Sequence, residues 1–241
     1  MGISNFKRFY NSIIYERRNP DGKDSIFDDL DNKDTNLNIE LCPSCKLYRA
    51  RIVKDIDKIG LEPCFYGYSR KNSLTPPREK AIAHRANYQC IPYLYCSSSV
   101  ETAISEVRPN ENDIVSVATI IPTSTIDIID FSCEKSESLK GTKKTLFKNL
   151  YDWFSKPASQ EDNPIEYIPT QYITEYIRFN LNYGGIKYKS SLAAGDNYVL
   201  FIDDTYYCSC SELFEFKDKK WLKKDESKDD ENIQSQTSDN S

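Results

Sequence analysis

The chain has 241 residues, 29% charged and 39% apolar, enough for one sizeable core with appendages or at most two small domains. A formal charge of −5 excludes blanket attraction to nucleic acid or anionic lipid, and no run approaches the roughly 18 apolar residues of a membrane span. The first 18 residues lack a signal peptide's apolar stretch, and Phe6 stands where a myristoylation signal after Gly2 prefers Ser or Thr. The protein is therefore expected to be cytoplasmic, with its eight cysteines mostly reduced.

Residues 4–18 space Phe6, Phe9, Tyr10, Ile13 and Ile14 as an amphipathic helix that docks on the body. Residues 19–40, rich in Asp and Asn and broken by Pro20 and Gly22, read as a solvated linker. Leu47–Val53 reads as a strand, and residues 54–83 as a long loop with a little helix. Tyr93–Ser97 is a further strand, with Tyr93 and Tyr95 on one face and Leu94 on the other. The next helix is capped by Ser98 or Ser99, buries Val100, Ala103, Ile104 and Val107, and stops at Pro109.

Strands follow at Ile114–Ile121 and Thr125–Phe131, then a helix over residues 136–156. A second helix opens at Pro169–Thr170, runs to about Asn182 burying Ile173, Tyr176, Ile177 and Phe179, and is ended by Gly184 and Gly185. Ile186–Ser190 and Asn197–Ile202 are strands, and beyond about Lys217 a charged tail has almost nothing to bury. Strands and helices are interspersed without repeated βαβ units, which favours an α+β fold.

A single histidine, His84, nearly excludes His-pair zinc sites, and neither a P-loop nor a GxGxxG run is present. Any catalytic machinery is then built from Arg, Tyr, Glu, Ser and Asn. Residues 84–109 concentrate these types: Arg85, Asn87, Tyr93, Tyr95 and Glu106. Arg85 has the planar fork that suits phosphate or carboxylate. Tyr93 and Tyr95 could stack a flat ring, and Glu106 lies at the edge of its helix's apolar face. Taken singly, each is more often a surface or core residue than a ligand contact. Ser190 and Ser191, between a strand and a small-residue turn, could touch a ligand or simply shape the turn. Cys42-Pro-Ser-Cys45 has the spacing of a zinc half-site, with Cys208-Ser-Cys210 a poorly spaced complement, so no metal is assigned.

Five runs, in order, resemble the RES domain family: LYRAR (47–51), HRANYQCIPYLYCSSSVETAISEVRP (84–109), IDIIDFS (126–132), PTQYITEYIR (169–178) and GGIKYKSSLAAGDNYVLF (184–201). The resemblance spans about residues 47–203. It implies a mainly antiparallel central sheet with flanking helices, related to ADP-ribosyltransferases. It also implies an enzyme that cleaves the nicotinamide–ribose bond of NAD+ by hydrolysis or phosphorolysis. Family members are commonly toxins of bacterial toxin–antitoxin pairs.

Carried over by position, the family's arginine, tyrosine, glutamate and serine fall on Arg85, Tyr95, Glu106 and Ser190. Arg49 matches a further arginine, and Asn87, Tyr93 and Ser191 join it as substrate contacts; Arg51 competes with Arg49 as Ser191 does with Ser190. Ala86 departs from the commoner Trp between that arginine and asparagine. The implied organisation is an amino-terminal helix and acidic linker (1–46), a catalytic domain (47–216) and a charged tail (217–241). No cofactor is expected beyond NAD+ as substrate, with inorganic phosphate a co-substrate if the reaction is phosphorolytic. An antitoxin protein is an expected partner, a second copy of the chain a candidate one, and membrane and nucleic acid are not expected. ADP-ribosyl transfer to a macromolecule and a non-catalytic binding module are the alternatives.

Overall fold

Alternate residues of Ile114–Pro122 (β4) feed two different cores, which explains why this run lacks a polar face. Val115 and Val117 point to one cluster, Ala118 and Ile120 to another. In the computed structural model, which describes residues 5–18, 25–31, 37–56, 59–60, 62–132, 137–156, 164–217 and 220–223, this strand belongs to a nine-stranded sheet. The other strands are β1 (Asn38–Leu41), β2 (Leu47–Ile52), β3 (Leu94–Ser97), β5 (Ile126–Asp130), β6 (Gly185–Lys189), β7 (Asp196–Leu200), β8 (Tyr206–Lys217) and β9 (Lys220–Lys223). Their spatial order is β1-β5-β6-β7-β3-β2-β4-β8-β9, and every pairing is antiparallel except β5 with β6. The fold is α+β, as the element order suggests.

Helices α1 (Asn5–Asn11, continued by a wider turn over Ser12–Glu16), α2 (Ser25–Asp31), α5 (Gly141–Ser155) and α6 (Ile168–Phe179) cover one face of β5–β6–β7. Phe9, Ile13, Phe27, Leu150 and Ile177 pack there with Ile129, Ile186 and Val199. Tyr93 and Tyr95 face this cluster, whereas Leu94 and Cys96 face the opposite one with Leu200 and Cys208, the expected alternation. Short α3 (Arg70–Ser73) lies in the long loop after β2. Helix α4 (Val100–Val107) lies on β2 and β4, burying Ala103 and Ile104 against Ala50, Val115 and Val117.

Two stretches differ from expectation. Part of the acidic 19–40 segment forms α2, because Ile26, Phe27 and Leu30 recur at helical spacing and bury while the aspartates stay on the other side. Tyr206–Lys217, assigned no element above, is the longest strand, and Lys220–Lys223 of the expected tail pairs with it. Strand β9, at the sheet edge, is short and set in a lysine-rich stretch, which hid it in the polar composition. Phe179, expected to bury, is 67% exposed at the end of α6. Gly2, Pro20, Gly22, Cys133 and the tail from 224 lie outside the described residues.

Candidate active site

The pairing registers align Tyr188 of β6, Asn197 of β7, Ser97 of β3 and Tyr48 of β2 in one row across four strands. All four line a cavity of about 640 Å³, a size suited to a cofactor-sized molecule. Ser99 caps α4, its Oγ accepting from Thr102 N (3.1 Å), which fixes the helix beside that row. The helix ends at Arg108 in the left-handed region (φ 46°), directly after the turn that carries Glu106.

Glu106 Oε1 accepts two short hydrogen bonds, from Ser190 Oγ and from Asn197 Nδ2, both 2.6 Å. Asn197 Oδ1 in turn accepts from Ser97 Oγ (2.8 Å), and Ser190 Oγ accepts from Leu192 N and Ala193 N (both 3.1 Å). The carboxylate is therefore positioned by a connected network in which Ser190, Asn197 and Ser97 are buried while Glu106 itself is exposed. Among the described residues Oε2 accepts no hydrogen bond. Ser191, not Ser190, lines the cavity itself, so the two serines divide the work: one holds the carboxylate and one faces the opening.

Arg85 is anchored behind this point, Nη1 donating to Trp153 O (2.6 Å), with its guanidinium 5.6 Å from the Tyr167 ring centre. Its loop is held from α6, where Thr170 Oγ1 donates to Arg85 O (2.7 Å) and Gln171 Nε2 to His84 O (2.7 Å) and Asn87 O (2.9 Å). Asn87 spends its amide on Ile82 O and Tyr88 O (2.9 Å each) and accepts from Tyr95 OH (2.7 Å). It is thus the residue that orients Tyr95. Tyr93 is almost fully buried, its ring 4.8 Å from that of Phe201, and mostly serves the core. Ala86 is buried in the same cluster.

Arg49 donates to Ser73 O (3.2 Å) and Leu74 O, and Arg51 donates to Asn72 O (2.6 Å). Both arginines tie the α3 loop down as one wall of the cavity. Burial pulls the Arg49 guanidinium down to about 10, still protonated at neutral pH. Among the described residues, eight cationic side chains line the cavity, Arg49, Arg51, Arg85 and Arg108 among them, against one carboxylate, Glu106. In a chain of net negative charge, that concentration of positive charge favours an anionic ligand.

Burial pushes the phenols of Tyr95 and Tyr188 up, and for Tyr188 the Glu106 charge adds to the effect. Both stay neutral donors at pH 7. Burial also lowers the His84 imidazole. Sequence reasoning missed Asn197, Tyr188 and Tyr48. Asn197 could have been found only as a polar residue inside an apolar strand, since its partner Ser97 lies 100 residues earlier.

A family model described as RES domain matches residues 61–217. The match contains Arg85, Asn87, Tyr93, Tyr95, Glu106, Ser190 and Ser191, and runs on through β8; Arg49 and Arg51 precede it. No curated protein matches the chain. A chain of a solved structure, the crystal structure of the M. tuberculosis MbcT–MbcA toxin–antitoxin complex, is similar at 14% identity with a TM-score of 0.44. The similarity covers 73% of this chain and 87% of that one.

Proposed function

The chain belongs to the RES domain family, and from that premise we propose that it is an NAD+-consuming enzyme that cleaves the nicotinamide–ribose bond, as the toxin of a toxin–antitoxin pair. The observation that carries this reading is Glu106, a carboxylate held by Ser190 and Asn197 through one oxygen at the edge of an otherwise cationic cavity. Such a site suits a molecule with a diphosphate at one end and a centre of developing positive charge at the other.

Cleavage of the glycosidic bond passes through an oxocarbenium-like ribose. Nicotinamide departs as a neutral molecule, so the site needs no strong general acid, consistent with a neutral His84. Glu106 stabilises the cationic sugar through Oε2 and the ribose hydroxyls, an interaction strongest in the transition state. Because Oε1 is already hydrogen-bonded, little reorganisation remains at the moment of reaction. Arg85 and Arg49 attract the diphosphate, and Tyr95 and Tyr188 donate or pack against ribose and nicotinamide.

The test is incubation of the purified protein with NAD+, with and without inorganic phosphate, and identification of the products by mass. ADP-ribose marks hydrolysis and its 1″-phosphate marks phosphorolysis. Transfer of ADP-ribose only to added protein would replace this reading with macromolecular ADP-ribosylation, and unchanged NAD+ would leave a binding module. The toxin role adds an expectation in cells: expression of the active chain depletes NAD+ and arrests growth, and a cognate antitoxin protein relieves both.

A further inference from the structure

Cys42 and Cys45 take no part in the chemistry above. They occupy the turn that leaves β1 and leads into β2, where Cys45 N donates to Cys42 O (2.9 Å). That turn brings the two sulfurs to 3.2 Å, and Ser44 Oγ lies 2.9 Å from Cys42 Sγ. Both residues are partly exposed, and Cys45 packs on the core cluster that contains Leu41 and Leu47. The remaining described cysteines differ. Cys64 and Cys90 are exposed singletons, Cys96 and Cys208 are buried, and Cys210 is partly exposed, its sulfur 3.8 Å from Ser209 Oγ.

A structural metal would need further ligands. Among the described residues no group of three or more His, Cys, Asp or Glu comes together. Cys208, half of the other close pair, is buried in the core and donates to Cys210 O (3.4 Å). A vicinal pair of accessible thiols without such a set is suited to sulfur exchange instead. We propose that Cys42 and Cys45 are a redox-active dithiol that closes to an intramolecular disulfide by exchange with a low-molecular-weight disulfide such as oxidised glutathione.

The two thiols have separate roles. Hydrogen bonds from Ser44 and Cys45 pull Cys42 down to about 7, whereas burial pushes Cys45 up. Cys42 is the attacking thiolate. It displaces one glutathione thiolate, breaking the glutathione S–S bond and forming a mixed disulfide on Cys42. Cys45 then loses its proton and attacks Cys42 Sγ, displacing the second glutathione thiolate. The two protons lost by the cysteines end on the two glutathiones, so one disulfide is reduced as one is formed. The product tethers the connection from edge strand β1 to β2, which carries Tyr48, Arg49 and Arg51 to the cavity.

The experiment is incubation of the reduced full chain with oxidised glutathione at pH 7, acid quenching and peptide mapping by mass. The Cys42–Cys45 peptide is expected to lose two hydrogens, while Cys64 and Cys90 gain glutathione. Cys42 reacts about three-fold faster than an ordinary thiol, its larger thiolate fraction being partly offset by lower nucleophilicity. Cys45→Ser traps glutathione on Cys42, and Cys42→Ser leaves Cys45 as the thiol. Wild-type protein in which Cys42 and Cys45 stay free, or keep glutathione as Cys64 and Cys90 do, would overturn the proposal.

Discussion

Asn197 Nδ2 lies 2.6 Å from Glu106 Oε1 and joins two elements, β7 and α4, that are 91 residues apart in sequence. The amide can do this because Ser97 fixes its other end, so its orientation is set before any ligand arrives. The relationship makes Asn197 a positioning residue for the carboxylate, and it separates the effects of aiming Glu106 from those of possessing it.

Replacing Asn197 with Ala should lower kcat for NAD+ cleavage about ten-fold, equivalent to ~1.4 kcal/mol, with KM little changed. Steady-state kinetics on a variant of unchanged melting temperature would check this. A raised KM at constant kcat would instead mark Asn197 as a ground-state substrate contact.

The same row shows what the sequence could and could not convey. Local signals were readable: the serine cap of α4, the strand alternation at Tyr93–Tyr95 and the helix over the 170s all follow from nearest neighbours in the chain. Glu106, Arg85, Tyr95 and Ser190 were reached through the resemblance, because alone each resembled an ordinary surface or core residue. The Tyr188–Asn197–Ser97–Tyr48 row depends on pairing among strands distant in sequence, which no local pattern encodes. α2 and β9 were hidden for a different reason: each is short and set in charged sequence, with three aspartates among the seven residues of α2 and two lysines among the four of β9.

Gly195 approaches α4 where a side chain would not fit: an added Cβ would sit 2.2 Å from Thr102 Oγ1 and 2.6 Å from Ser98 Oγ. Gly195→Ala should therefore destabilise the fold by about 1–3 kcal/mol and push the Ser190–Asn197 turn away from the helix. Chemical denaturation gives the stability change. A variant as stable and as active as wild type would show that the close approach is not required.

Phe9 is fully buried, its ring 5.9 Å from Phe27 and 6.0 Å from Tyr172. The amino-terminal helix thus completes the core over α6. Phe9→Ala should cost about 3–5 kcal/mol, measured by denaturant unfolding, whereas a helix merely resting on the surface would cost far less.

His84 adds a pH dependence whose sign follows from its burial, which lowers its folded-state value below the unfolded one of about 6.5. Between those two values the unfolded chain binds more protons, so this residue's contribution is complete above about 6.5 and is lost as pH falls toward the folded value. The melting temperature should drop on acidification below that point, and His84→Gln should drop less over the same interval. Equal slopes for both proteins would contradict the assignment.

The central claim is that a single carboxylate stabilises the ribosyl cation. The measurement is NAD+ turnover by Glu106→Gln, a variant that can still accept the Ser190 hydrogen bond at its amide oxygen. The account predicts a fall on the order of 10²-fold or more with a melting temperature close to wild type. Turnover close to wild type by that folded variant would contradict it.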